Sequence, residues 1–299
     1  MKKSFWALLA GVIFCFVLAC SSEGSNPDDG GTGTSDDDGT TVVDKSGNLL
    51  VTGASANDLL SNSNFDALLI EVGFVTGFRP TVEAMTNFEN FLRERTFKQN
   101  IQILYNELPS PGEETLTLQE IADLEEANRT AYNEGSTLAV YIYFADSPSD
   151  GDDEEQGLVT LGAVYRNTSM VIFERTIQTL AGRSLTITDE DVETATLNHE
   201  FGHLFGLVDL GTVPVNDHED PDAVNHCNVE GCLMRAELQF GDSSSSLTGK
   251  SGNDILRSAC SISGHSILHM LQSQNNRALA NVPGLDAECI LDLQNNGGR

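Results

Sequence analysis

The run His199-Glu200-Phe201-Gly202-His203-Leu204-Phe205-Gly206 permits few local folds. On a helix, residues four apart share a face, so His199 and His203 would hold their imidazoles about 6 Å apart, close enough to bind one metal ion between them. Neutral imidazole nitrogens suit Zn²⁺, at about 2.0–2.1 Å. Glu200 follows the first histidine and is turned from it by about 100° around the helix axis. Its carboxylate is therefore expected beside the metal rather than on it, where it can take a proton from a zinc-activated water, as a hydrolase requires. Two histidines at this spacing also occur as ordinary core or surface residues, and the flanking sequence argues against that reading. Thr188 can cap a helix, and Asp189, Glu190, Asp191 and Glu193 crowd its first turns, where the macrodipole favours negative charge. Val192, Ala195, Leu197 and Leu204 supply apolar positions, and Gly206 is placed to end the helix in the left-handed conformation.

The N-terminus reads as an export signal over residues 1–19. Lys2 and Lys3 form its positive start, and the apolar stretch 5–18 is too short to favour a permanent membrane span. It ends in Val17-Leu18-Ala19-Cys20, which resembles a bacterial lipobox, in which the cysteine becomes the first residue and carries the lipid. Ser21, rather than Asp, resembles signals that leave the inner membrane, so the expected location is the cell envelope, lipid-anchored at the outer membrane. Residues 20–45 read as a disordered acidic tether: Asp28, Asp29, Asp36, Asp37 and Asp38 repel one another in a segment nearly free of apolar residues. The remaining 46–299 is long enough for one catalytic domain.

The net charge of −29, from 16 basic and 45 acidic residues, disfavours nucleic acid and anionic lipid as partners. The lipid anchor is the only membrane contact expected. Of six cysteines, Cys15 leaves with the signal and Cys20 is lipidated. Cys227, Cys232, Cys260 and Cys289 remain, an even number in an exported chain, and disulfides are expected, with Cys227–Cys232 and Cys260–Cys289 the favoured pairing.

Strands are expected at 65–74, 101–104, 138–144, 158–164 and 169–177, the third alternating Val140, Ile142 and Phe144 against Tyr141 and Tyr143. Helices are expected from Pro80 to about Phe97, and from the capping box Thr117-Leu118-Gln119-Glu120 to about Tyr132. This order predicts an α/β (mixed α+β) domain, helices packed on a twisted mixed sheet. The carboxylates of 146–155 admit Ca²⁺, but they lack the spacing of an EF-hand and read better as a solvated loop.

Catalytic zinc usually takes three protein ligands and a water. Asp209, His218 and His226 follow the glycine as candidates. Asp209 completes H-E-x-x-H-x-x-G-x-x-D, a spacing that resembles the metzincin metallopeptidases. His226-Cys227-x4-Cys232-x-Met234 resembles the H-C-x4-C-x-M run of archaemetzincins. That resemblance implies His226 as third ligand, with Asp209 and His218 as alternatives. It implies Met234 as a Met-turn floor under the zinc, a metzincin-like sheet, peptide substrates, and strand 169–177 or its neighbour as the edge that pairs with them. The chain departs from the pattern in length, with about twenty residues between Gly206 and His226, and no tyrosine follows Met234. His265 and His269, also four apart, lack the glutamate and glycine and read as plain helix residues. The expected function is thus a zinc metalloendopeptidase with Glu200 as general base. The alternatives are a surface binding lipoprotein that keeps a peptidase-like fold around a structural metal, and a zinc hydrolase acting on something other than peptides. A structural site needs no general base, so Glu200 favours the enzyme.

Overall fold

The apolar run Ala67–Val75 forms β1, flanked on both sides in parallel by β2 (Asn100–Leu108) and β3 (Thr137–Phe144) in this computed structural model. β4 (Gly162–Arg166) and β5 (Ser169–Ile172) complete the sheet in the order β2-β1-β3-β5-β4, with β5 parallel to β3 and β4 antiparallel to β5. The structure describes residues 43–153, 159–183, 187–236 and 282–299. The unit that carries the sheet is Val43–Arg299. The expected signal, Cys20, nearly all of the tether, Cys260, His265 and His269 lie outside the described residues.

Alternation along β3 decides the two faces. Val140, Ile142 and Phe144 join Leu68, Ile70 and Val72 in the main core, while Tyr141 and Tyr143 point the other way, toward Ile121 and Ala122. Both faces are therefore buried, which is why β1 and β3 read as nearly continuous apolar runs. A short α1 (Ala56–Leu60) precedes the sheet. α2 (Val82–Arg95) crosses between β1 and β2, its start capped by Thr81 Oγ1, which accepts from Ala84 N at 3.2 Å. α3 (Leu118–Asn128) crosses between β2 and β3 and begins at the expected capping box. Thr117 N donates to Glu120 Oε2 at 2.8 Å, and Glu120 N donates to Thr117 Oγ1 at 3.1 Å.

Several boundaries differ from expectation for identifiable reasons. α3 stops at Asn128 because Arg129 turns inward, pairing with Glu125 at 2.7 Å and donating to Ala139 O at 2.9 Å. β2 runs to Leu108 because it matches β1 residue for residue. The expected strand 169–177 ends at Ile172, and Glu174–Ala181 forms α4 instead. Ile177, Leu180 and Ala181 fall at helical spacing and are buried in the main core, so burial satisfies the helical period in a stretch too short for periodicity alone to decide. In the acidic loop, Asp146 Oδ2 accepts from Ser110 and Asp152 Oδ1 from Thr160 N at 2.7 Å. Glu154 and Glu155 of this loop lie outside the described residues.

α4 packs on α5 (Asp189–Leu204), placing Glu174 and Glu193 together in the interior. Glu193 accepts from Thr81 N at 2.9 Å, and Glu174 Oε1 from Gln178 Nε2 at 2.9 Å. Burial first, and then the neighbouring Glu193 carboxylate, hold the Glu174 carboxyl well above the usual carboxylate range. A group that binds its proton more tightly folded than unfolded stabilises the fold fully only below its unfolded pKa, about 4.3 for Glu, and that contribution is lost as pH rises toward the folded value. Glu174→Gln is expected to flatten this decline. Tm measured against pH from about 5 upward reads the effect, and a mutant curve parallel to wild type would refute it.

Candidate metal centre

α5 is held at both ends by local chemistry. At its start Asp191 Oδ2 accepts from Thr188 N at 3.1 Å and from Thr188 Oγ1 at 3.0 Å. At its end Leu207 N donates to Gly202 O at 3.1 Å and Gly206 N to His203 O at 2.9 Å, a Schellman closure that requires the left-handed Gly206, φ 74°. A Cβ on Gly206 would lie 2.7 Å from Thr212 N. Every residue from Val192 to Leu204 is buried. Phe201 packs edge-on against Phe88 of α2 and against Phe205. Each fully buried ring of this kind stabilises the fold by about 1.5–3 kcal/mol relative to exposure, so the helix is a fixed platform.

Three imidazoles converge above it. His199 Nε2 and His203 Nε2 are 3.1 Å apart, and the His226 ring lies 5.5 Å from that of His199 and 5.1 Å from that of His203, centroid to centroid. Their ligand atoms all lie within 4.8 Å of one another. His199 Nδ1 pairs with Leu233 O at 2.7 Å, which fixes its proton there and leaves Nε2 as a lone pair. His226 Nδ1 pairs with Val224 O at 3.0 Å in the same sense. Burial pushes the His199 pKa down to about 3, with His226 adding to the effect, and burial likewise lowers His203 and His226. Neutral imidazoles with nitrogens turned toward one point form a donor set suited to Zn²⁺.

Glu200 is wholly buried, and neither carboxylate oxygen finds a hydrogen-bond partner among the described residues. Burial raises its pKa well above the ordinary carboxylate value. A buried, unsatisfied carboxyl is costly, and this one directly follows His199, one of three side chains that could hold a metal ion.

Met234 lies beneath the helix, and only glycine at 202 admits it: a Cβ there would lie 2.3 Å from Met234 Sδ. Met234 O accepts from Cys227 N at 2.8 Å, so the turn that supplies Leu233 O to His199 also anchors the strand carrying His226, β7 (Ala223–Cys227), paired with β6 (Glu219–Asp220). Asp209, by contrast, is exposed in a left-handed turn, φ 65°, outside the group. His218 is buried elsewhere, its Nε2 2.7 Å from Asp292 Oδ2 and its Nδ1 3.3 Å from Cys227 Sγ.

The expected Cys227–Cys232 disulfide is not formed; Cys227, Cys232 and Cys289 are all thiols. Cys232 Sγ and Cys289 Sγ lie 3.6 Å apart, well beyond the about 2.05 Å of a bond. Cys227 Sγ also lies 3.3 Å from His218 Nδ1 and donates to Asp286 Oδ2 at 2.9 Å. Hydrogen bonds from Cys227 and Cys289 pull the Cys232 thiol down. His218, Cys227, Asp286 and Cys289 thus form a second group with ligand atoms within 4.8 Å of one another. Sequence reasoning missed Asp286 and Asp292. Asp286 caps α6 (Ala287–Asn295), accepting from Glu288 N and Cys289 N, and an Asp three residues before a Cys was the available signal.

No protein-family model matches the chain, and no curated protein matches it in sequence. Among solved structures, an archaemetzincin from Methanopyrus kandleri is similar to it at a TM-score of 0.42 and 16% identity, covering 78% of this chain and 96% of that one.

Proposed function

We propose that the chain is a zinc-dependent metallopeptidase, with His199, His203 and His226 as ligands and Glu200 as general base. The observation that carries this reading is the buried, unpartnered Glu200 carboxyl beside three neutral, convergent imidazoles. Bound zinc supplies Lewis acidity to the scissile carbonyl and to the attacking water. Glu200 takes the water's proton and delivers it to the leaving amine. β4, an outer strand of the sheet among the described residues, offers its main chain to an extended substrate. Backbone pairing of that kind draws on the main chain, so the substrate is assigned by class, as an extended peptide. The second group, rich in thiols, reads as a structural zinc site tying the β7 strand to α6.

The test is digestion of a denatured protein mixture by the purified domain, with and without chelator, cleavage sites being read by mass spectrometry. Chelator-sensitive cleavage of peptide bonds is expected, and a zinc-loaded preparation that cuts nothing would overturn the reading. Metal analysis on the same sample should approach two zinc ions per chain. The lipobox-like Cys20 motivates a lipid anchor joined to the enzyme by the tether. Cys20→Ala should release the protein from membranes with catalysis unchanged. Metabolic lipid labelling that persists in this variant would show the anchor to be elsewhere.

A further inference from the structure

Gly162 opens β4, the last strand of the sheet, and lies directly against Glu200. A Cβ built on it would come within 2.6 Å of Glu200 Cγ and 3.0 Å of both Cδ and Oε1. Real Cβ atoms do not approach so closely, so any side chain at 162 would force Glu200 to move. The glutamate has no easy retreat, because α5 is buried all round and Glu200 itself has no exposed surface. The backbone at 162 needs no glycine on its own account, since it pairs in register with Ile172 as an ordinary strand residue. What glycine contributes here is space.

The same residue also faces the outer side of the sheet. Phe173 N donates to Leu161 O at 2.8 Å, and the register pairs Gly162 with Ile172 and Ala163 with Val171. Hydrogen-bonded and non-bonded pairs alternate along an antiparallel ladder. Leu161 therefore spends its main-chain bond inward, and Gly162 turns its N–H and C=O outward, where no strand pairs with it among the described residues.

We infer that Gly162 is a positioning residue for the hydrolysis proposed above: its missing side chain is the space in which the Glu200 carboxyl is held, at the point of the edge strand where an extended peptide would pair. An extended chain bound to that edge would lie across the general base, and the contact between strand and helix sets the distance between them. Gly162 has no group that takes part in the chemistry, and its effect on the reaction runs through the position of Glu200. The inference rests on the peptidase reading for its catalytic part and on geometry for its steric part.

Gly162→Ala, zinc-loaded, is expected to lower kcat about a hundredfold, as displacement of a catalytic group by about 1 Å does. KM and zinc content should hold, because the peptide-binding main chain and the three histidines are untouched. A variant with kcat within twofold of wild type overturns the inference. The thermal melt supplies an arm that needs no activity. Gly162→Ala should lower Tm in the wild-type background and have little effect on Tm in a Glu200→Ala background, where the obstructed carboxyl is gone. If Gly162→Ala does not fold, the Gly162→Ala/Glu200→Ala double variant should. Equal losses of Tm in both backgrounds, or a double variant that also fails to fold, overturn the inference. A wild-type protein without activity that still shows this coupling would sink the peptidase reading while leaving the steric relation of Gly162 to Glu200 intact.

Discussion

Glu200→Ala will abolish peptide hydrolysis while the protein keeps its zinc. Glu200 does not belong to the group of converging ligand atoms, which consists of His199, His203 and His226. Its carboxyl is buried beside them with both oxygens unpartnered, so nothing in the described fold depends on it for a hydrogen bond. In the proposed mechanism its removal takes away the base that accepts the water's proton, and a positioned general base is worth about 10²–10⁴-fold in rate. The fold should not suffer, because a buried unsatisfied carboxyl is a cost that alanine removes, and Tm should hold or rise. Rate, zinc content and melting temperature belong on one preparation. A variant that keeps a tenth of the wild-type rate would remove Glu200 from the mechanism. A variant that loses zinc would make it a ligand and return the site to a structural role.

His226→Ala is expected to cost far more zinc affinity than Asp209→Asn. The His226 ring sits about as close to the rings of His199 and His203 as those two sit to each other, and its Nδ1 is held by Val224 O, which makes Nε2 the ligand nitrogen. Asp209 is exposed and outside the group. Losing a group that only orients a ligand costs about 10–100-fold in metal affinity; losing the ligand itself should exceed that, while Asp209→Asn should leave affinity nearly unchanged. Competition against a chelator of known affinity separates the outcomes. If Asp209→Asn releases the metal and His226→Ala retains it, the ligand set is the shorter one suggested by spacing. His218→Ala tests the second group separately, since its partners are Cys227 and Asp292 rather than the metal-site histidines.

The two results differ in how far the sequence foretold them. His199, Glu200 and His203 are related by helix geometry alone, and the same is true of the acidic first turns and of Gly206. Each of these interactions spans a few residues, so the amino-acid order was enough to place them. The alternation of Val140, Ile142 and Phe144 against Tyr141 and Tyr143 was legible for the same reason, although burial of both faces was decided by α3 covering the far one.

The third imidazole was not determined in that way. About twenty residues separate Gly206 from His226, and no local period limits where such a stretch goes. Its path is set by bonds between distant parts of the chain: Met234 O with Cys227 N, Asp292 with His218 and with Val215 N at 2.7 Å. Those bonds bring His226 to the face that carries His199 and His203 and carry Asp209 and His218 away from it. They also set Cys227 against His218 and Asp286 rather than in a disulfide, which cysteine spacing alone had favoured. The space at Gly162 has the same origin. A glycine at the start of a strand says nothing by itself, and only the packing of the edge strand on α5 places it against Glu200. By itself the sequence determined the helix that carries His199 and His203, its caps and the place of Glu200 beside them, because helix geometry acts over a few residues; tertiary packing alone decided which third imidazole reaches that pair and what lies against Glu200, because those contacts join parts of the chain that no local rule connects.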